Sequence, residues 1–354
     1  PEVRRDSFCG KLSIMDVFCQ NGIAFTALKP HTVPVDCDRF AANVDHFDRV
    51  CRVVAGMRRM TVGAIGARTS AFKTVRIDEL TLQKNSITME TFDLSYVFDR
   101  MKDADAKAVK AKSDRLASLA DFSAVPDEAK DKLARLGVVL DAIIEENKLD
   151  AVAIRCWLEM QQQLNISPCV LLGELNDRGI PAACEVDVGN AVAMYALHKA
   201  TGAPPICLDW NNNYAEDDDK CILFHCGPVP MSMMAGKGKV TDHAILANAV
   251  GEGCSFGCNV GRISPFEFTF ASMTTTDGKM RFYAGQGRFT EDPIPDDFFG
   301  CAGVAYIDGL QDVLLHVGTN GHRHHVSVSR GLVVDPLAEA LGHYLGYDVS
   351  LPQA

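Results

Sequence analysis

The chain has 354 residues, 47% of them hydrophobic, and a mean hydropathy of +0.01, enough apolar material to bury a core across two or three domains. Its net charge of -11 argues against a surface built to neutralise phosphates, and no Lys/Arg run marks a nucleic-acid footprint, so nucleic acid is not expected as a partner. No segment approaches the roughly 20 continuous apolar residues that span a bilayer, and no charged-then-apolar leader opens the sequence, so a cytoplasmic protein with no membrane partner is expected.

Thirteen cysteines are scattered along the chain, and Cys156, Cys184, Cys207 and Cys221 sit inside apolar runs. They read as buried small hydrophobes in a reducing compartment. Cys254 and Cys258 lack a second matching pair and are not read as a structural zinc site.

In chain order, Pro1 rather than a methionine comes first, so the sequence is expected to begin within a longer protein. Residues 1–38 read as the tail of a preceding unit, with a helix over 13–21 and a short apolar run over 22–28. Phe40, Val44, Phe47, Val50, Val53 and Val54 then recur at three-to-four spacing, which predicts an amphipathic helix over 39–57. A strand over 60–65 runs through Gly63-Ala-Ile-Gly66 and precedes a helix over 77–84 and an apolar run over 87–92, a βαβ unit. One Gly-x-x-Gly without a third glycine is a weak dinucleotide signal, and a tight strand-to-helix turn is the preferred reading.

Residues 95–148 are charge-rich and helical, broken at Ser123-Ala-Val-Pro126. A strand over 149–156, a helix from about Glu159, a strand over 180–186 and a helix over 190–200 continue the alternation. Residues 39–202 are therefore predicted to form an α/β, Rossmann-like domain with a doubly wound parallel sheet. Ligands gather at the carboxyl ends of such strands, where Arg155, Glu159 and Glu185 fall.

From residue 203 the pattern changes. Phe266–Thr274 and Lys279–Tyr283 flank Asp277-Gly278, a hairpin signal, and the short runs 304–307, 313–317 and 325–328 are separated by glycines and polar turns. Residues 203–354 read as a β-rich, barrel-like domain closed by a helix over 336–345, and this domain is expected to carry metal ligands.

Two carboxylates end consecutive apolar segments, Glu185 in Ala-Ala-Cys-Glu-Val-Asp and Asp209 in Pro-Ile-Cys-Leu-Asp-Trp, and His322, His324 and His325 cluster near the end of the chain. Two anionic oxygens with a neutral imidazole suit a borderline-hard divalent ion such as Mn²⁺. Each residue has a plainer alternative. Glu185 would be costly to bury unpaired, so an ion pair with Arg155 competes with metal binding. An Asx-turn competes for Asp209, and an exposed Gly-rich turn for the histidines. Asp187 reads as a helix cap before a second-layer partner. The acidic run 216–219 reads as a solvated loop, since it lacks the glycine and terminal Glu of a calcium loop. His46, His198, His243, His316 and His343 are read as satisfied and without function.

Val62-Gly-Ala-Ile-Gly-Ala-Arg68 with Phe72 and Arg76, Asp150-Ala-Val-Ala-Ile-Arg-Cys-Trp157, Ala183-Cys-Glu-Val-Asp-Val188, His225-Cys-Gly-Pro and His324-His325 occur in that order. In these segments, from about residue 35 onward, the chain resembles the L-fucose/L-arabinose isomerase family, in particular its fucose-isomerase-like branch. The resemblance implies an intramolecular oxidoreductase of carbohydrate metabolism, a metal-dependent aldose–ketose isomerase acting through a cis-enediol on an open-chain sugar. It implies Glu185 and Asp209 as metal ligands and acid/base pair, with His325 favoured over His324 as the imidazole ligand. His225 would reach the metal or bind a sugar hydroxyl, and His324, Trp157 and Arg155 would lie with the substrate. Trp210 and Phe224 are further candidates for apolar walls. Family members carry an additional N-terminal domain and complete their sites with neighbouring subunits, so a homo-oligomer, trimer or hexamer, is expected. The alternatives are an NAD-dependent oxidoreductase using Gly63–Gly66 and a non-catalytic sugar-binding regulatory protein of the same fold.

Overall fold

The computed structural model describes residues 6–295 and 298–353. It opens with helices α1 (Ser7–Gln20) and α2 (Asp38–Met57). The apolar stripe of α2 is buried only in its second half: Val50, Val53 and Met57 are covered, whereas Phe40, Val44 and Phe47 remain exposed.

Next come β1 (Met60–Ile65), α3 (Glu79–Lys84), β2 (Ile87–Phe92), α4 (Leu94–Lys102), α5 (Ala106–Leu119) and α6 (Asp127–Glu146). They are followed by β3 (Ala151–Ile154), α7 (Glu159–Leu164), α8 (Cys169–Asp177), β4 (Ala182–Cys184) and α9 (Val188–Thr201). The four strands form a parallel sheet in the order β2-β1-β3-β4. β3 and β4 are apolar throughout because both faces are covered, whereas the edge strand β2 exposes Glu90 and Thr91. Ala151 and Ala153 of β3 face a core built with α2, α3 and α9, while Val152 and Ile154 face α4, α5, α6 and α8. This is the doubly wound sheet the alternation predicts.

Two details differ from the sequence expectation. The strands predicted over 149–156 and 180–186 are shorter, so Arg155 and Glu185 lie just beyond strand ends instead of inside strands. The connection after β1 is not a tight turn: Gly66 adopts φ 85°, and an irregular stretch with a 3₁₀ turn at Lys73–Val75 intervenes before α3. No helix N-terminus therefore follows the glycines closely enough to cradle a pyrophosphate, which removes the structural basis of the dinucleotide alternative.

The second half contains β5 (Pro205–Tyr214), β6 (Asp217–His225), β7 (Lys239–Thr241), α10 (Ala244–Val250), β8 (Cys258–Arg262), β9 (Glu267–Thr276) and β10 (Lys279–Phe289). It ends with β11 (Cys301–Tyr306), α11 (Leu310–Thr319), β12 (His325–Arg330), α12 (Val334–Ala338), a π-helical turn over Glu339–Tyr344 and β13 (Asp348–Ser350). Strands β10-β9-β12-β5-β6-β11 pair antiparallel, and a β11–β10 pairing at Arg288 opposite Tyr306 closes them into a six-stranded barrel. Ile206, Leu208, Phe268, Phe270, Tyr283 and Val326 fill it.

The hairpin turn lies at Asp277 and Gly278, both at positive φ (51° and 71°), the geometry that matches strand twist. The segment 313–317, expected as a strand, belongs to α11: Leu310, Val313 and Val317 pack against the barrel at helical spacing. The acidic run is likewise not a loop, since Asp217–Asp219 open β6 and only Glu216 lies in the turn. The polar stretch Asn211–Tyr214 belongs to β5, with a register irregularity after Trp210.

Helix α9 joins the halves. Its run of small and apolar residues is buried on every side because it packs on β1, β3 and β4 and also on β5, β9 and β12. Gly189 permits the closest approach, since a Cβ there would lie 2.5 Å from the Met273 carbonyl and 2.6 Å from Arg323 Nη1.

Candidate metal centre and active site

The site forms where the carboxyl ends of β3 and β4 meet the barrel. After Cys184 the chain turns sharply into α9, with Glu185 (φ 64°) and Val186 (φ 59°) both in the left-handed region. For non-glycine residues this costs about 1–3 kcal/mol each, and such conformations persist only where surroundings over-determine them. Asp187 supplies that determination. It caps α9 by accepting the Asn190 backbone N–H at 3.0 Å and the Asn190 amide at 2.7 Å. It also ion-pairs with buried Arg323 and accepts from His325 Nδ1 at 2.7 Å. Capping α9 and orienting His325 are thus one residue's work. Burial alone would raise the Asp187 carboxyl, but the Arg323 charge and the His325 hydrogen bond outweigh it and hold the group well below the usual carboxylate range.

His325 opens β12 directly opposite Asp209 of β5 in the antiparallel ladder. Strand alternation does the rest: Leu208 and Val326 point into the barrel, so Asp209 and His325 point out toward α9 and the turn at Glu185. With Nδ1–H donated to Asp187, Nε2 faces Glu185 Oε2 at 3.0 Å and Asp209 Oδ1 at 3.4 Å. Carboxylate-backed imidazoles of this kind present a lone pair to metals. His324, side-chain exposure 41%, has no such backing and reaches Asp209 Oδ1 only at 3.5 Å.

Four buried polar atoms here have no hydrogen-bond partner: Glu185 Oε2, Asp209 Oδ1, His225 Nε2 and His325 Nε2. Glu185, His324 and His325 offer ligand atoms within 4.8 Å of one another, and so do Asp209, His225 and His325. Lone pairs facing one another across 3 to 3.5 Å require a positive charge between them. A proton meets part of the need: burial disfavours charge on His325, yet Asp187, Glu185 and Asp209 together push its pKa up to about 10. The same imidazole opposes the burial of Glu185 and holds that carboxyl below its ordinary value. A divalent cation would satisfy Glu185, Asp209 and His325 at once, and the mixed O/N set fits an ion of the Mn²⁺ type.

His225 ends β6, and its Nδ1 accepts from the Cys226 backbone N–H at 2.8 Å. In the neutral ring that bond leaves the proton on Nε2, which makes His225 a donor toward the site; coordination through Nε2 would require giving the bond up. Trp157 donates from Nε1 to Glu185 Oε1 at 3.3 Å, and Phe72 packs edge-on against Trp157 and His324, with ring centroids 5.8 and 5.3 Å away.

A cavity of about 270 Å³ adjoins these groups, walled by Trp157, Glu185, Asp209, Phe224, His243 and three thiols. Several sequence expectations place differently. Arg155 does not pair with Glu185 and does not line the cavity: it makes a two-pronged pair with Glu159 and donates to the Ala67 carbonyl. Trp210 turns into the barrel, hydrogen-bonded to Tyr283 and packed edge-on against Phe270. His322 faces away from His324 and His325, lying against Tyr283 and His316. All thirteen cysteines are free, and neither Cys254 nor Cys258 joins a ligand cluster among the described residues. Cys156, Cys226 and His243 line the cavity but escaped sequence reasoning, and for His243 no local pattern announces that position.

Residues 223–352 match the L-fucose isomerase C-terminal domain, and residues 2–58 match the fucose/sulfoquinovose isomerase N-terminal domain. Both matches are to domains of fucose isomerase-type sugar isomerases. It is similar to the sulfoquinovose isomerase of Priestia aryabhattai, 22% identical over 305 residues that make up 85% of this chain and 66% of that protein. The sulfoquinovose isomerase of Clostridium sp. (strain MSTE9) is 25% identical over 303 residues, 82% of this chain and 64% of that protein. The matched region thus spans just under two thirds of the length of these relatives. No helix among the described residues is long and apolar enough to cross a membrane.

Proposed function

We propose that this chain carries the metal site and the acid/base carboxylates of an aldose–ketose isomerase that works on an open-chain sugar through a cis-enediol. The supporting observation is the convergence of four unsatisfied buried atoms, from Glu185, Asp209, His225 and His325, beside a small cavity. Glu185, Asp209 and His325 would hold a Mn²⁺-type ion, which when bound would polarise the sugar carbonyl and acidify the neighbouring C–H.

The chain's own groups then move protons. One carboxylate of the Glu185/Asp209 pair takes the C2 proton of the aldose while O1 gains a proton, giving the cis-enediol. Return of a proton to C1, with loss of the O2 proton, yields the ketose. Trp157 steadies Glu185 through Oε1, leaving Oε2 to face the reaction. His225 Nε2–H is available to a sugar hydroxyl, and half-exposed His324 with Phe72 marks the mouth. The names of the relatives make a sulfonated hexose a candidate substrate beside neutral aldoses. Assembly as a homo-oligomer belongs to the same proposal.

The decisive test is metal content together with turnover over a panel of aldoses and ketoses, sulfonated hexoses included. Activity that tracks bound Mn²⁺ and vanishes on chelation supports the reading. Undiminished turnover in a verified metal-free preparation overturns it.

A further inference from the structure

His243 lines the cavity beside the metal-site carboxylates and is itself 4% exposed. Its position is rigidly built. The Asp242 carboxylate accepts from Gly253 N at 2.7 Å, Ser255 N at 2.9 Å and Ser255 Oγ at 2.8 Å, which staples the two ends of the segment carrying α10. His243 N–H donates to Ser255 Oγ at 3.2 Å, and the ring packs on Phe299 at 4.9 Å.

The ring's two nitrogens have different occupations. Nδ1 caps α10 by accepting the Leu246 backbone N–H at 3.3 Å. A neutral imidazole whose Nδ1 accepts must carry its proton on Nε2. Nε2 makes no hydrogen bond among the described residues, so an N–H donor is left for the cavity. Burial, helped by nearby His225, pushes the His243 pKa down to about 4, so the ring stays neutral near pH 7 and the tautomer holds.

We infer that His243 is a substrate-positioning residue whose Nε2–H donates to an oxygen of the sugar remote from the reacting carbons. This rests on the isomerase reading above and adds to it a recognition group on the cavity wall opposite in role to the carboxylates. A cavity of about 270 Å³ is below the roughly 300–1,000 Å³ of pockets for drug-sized ligands, so it suits one small polar molecule. A ligand that fills these mostly apolar walls without offering an acceptor would strip water from the Nε2–H and leave it unpaired, which is how such a site discriminates between ligands that carry the oxygen and those that lack it. A sugar hydroxyl and a sulfonate oxygen are both acceptors, and the choice between them is left to the substrates used.

The cap and the donor are separable by substitution. His243→Asn retains a good N-cap acceptor for Leu246 N–H but cannot present a donor at the Nε2 position, whereas His243→Ala removes both. The Mn²⁺-loaded full chain is assayed with a neutral aldohexose and with a 6-sulfonated hexose, alongside thermal melting and Mn²⁺ titration. In His243→Asn the melting and Mn²⁺ affinity are expected to match the parent, while KM for the substrate it turns over rises about tenfold with kcat nearly unchanged. Loss confined to the sulfonated or to the neutral sugar identifies which oxygen is held. An active parent with unaltered KM in His243→Asn overturns the inference alone and leaves His243 as a cap. A parent that binds Mn²⁺ but turns over no sugar overturns the isomerase reading and this inference with it.

Discussion

Asp187 Oδ2 accepts the Nδ1 proton of His325 at 2.7 Å, and through that single bond the turn after β4 sets the tautomer of an imidazole near the other end of the chain. The same carboxylate neutralises Arg323 and caps α9, so α9, the start of β12 and the loop leading into it depend on one side chain.

Asp187→Asn keeps an N-cap but removes the charge. Arg323, 2% exposed, is then left buried without a counter-ion, which costs about 3–5 kcal/mol. His325 also loses its orienting acceptor, and metal affinity falls about 10- to 100-fold. Chemical denaturation and Mn²⁺ titration of the same variant measure the two effects separately.

Glu185→Gln is close to isosteric, and the Trp157 contact at Oε1 can persist. Turnover is expected to fall by at least about a hundredfold, the scale of a lost general acid/base, with little change in melting temperature. Parental activity in this variant rules out the acid/base role.

A proton and the proposed metal would compete for one place. The folded pKa of His325, about 10, lies above the ordinary 6.5, so its charged state contributes stability to the metal-free protein that is complete below pH 6.5 and lost as pH rises through 10. A bound divalent ion needs the neutral ring. At pH 8 its binding therefore releases about one proton. Calorimetry in buffers of different ionisation enthalpy counts that proton; a count of zero contradicts the assignment of His325 as a ligand.

Gly189→Ala inserts a methyl group 2.5 Å from a backbone carbonyl and 2.6 Å from a buried guanidinium. Both neighbours are held, so the helix must shift, at about 1–3 kcal/mol. The melting temperature reports it, and an unchanged value means that α9 is not pinned at this point.

The elements that could be read in advance are those with local physics. The runs of β9 and β10 on either side of a tight turn, the positive φ demanded at Asp277 and Gly278, and the three-to-four spacing of α2 need only near neighbours in sequence. Misreadings arose where spacing was ambiguous or partners were distant. Leu310, Val313 and Val317 show helical spacing, but a window limited to 313–317 also resembles a short buried strand. Arg155 sits at a strand end as expected, yet Glu159, one helical turn onward, offered a nearer partner than Glu185.

What the sequence alone determined was the class of chemistry: carboxylates closing apolar segments and imidazoles at a strand start are expensive to bury, so their presence announces a compensating charge. Which of them meet was decided by tertiary structure. Closure of the barrel aligned Asp209 with His325 in register, the left-handed turn at Glu185 brought that carboxylate across to them, and Asp187 oriented His325 but not its neighbour His324. Convergence on one point depends on strand pairing and helix packing between residues far apart in the chain, and no local propensity encodes such pairings.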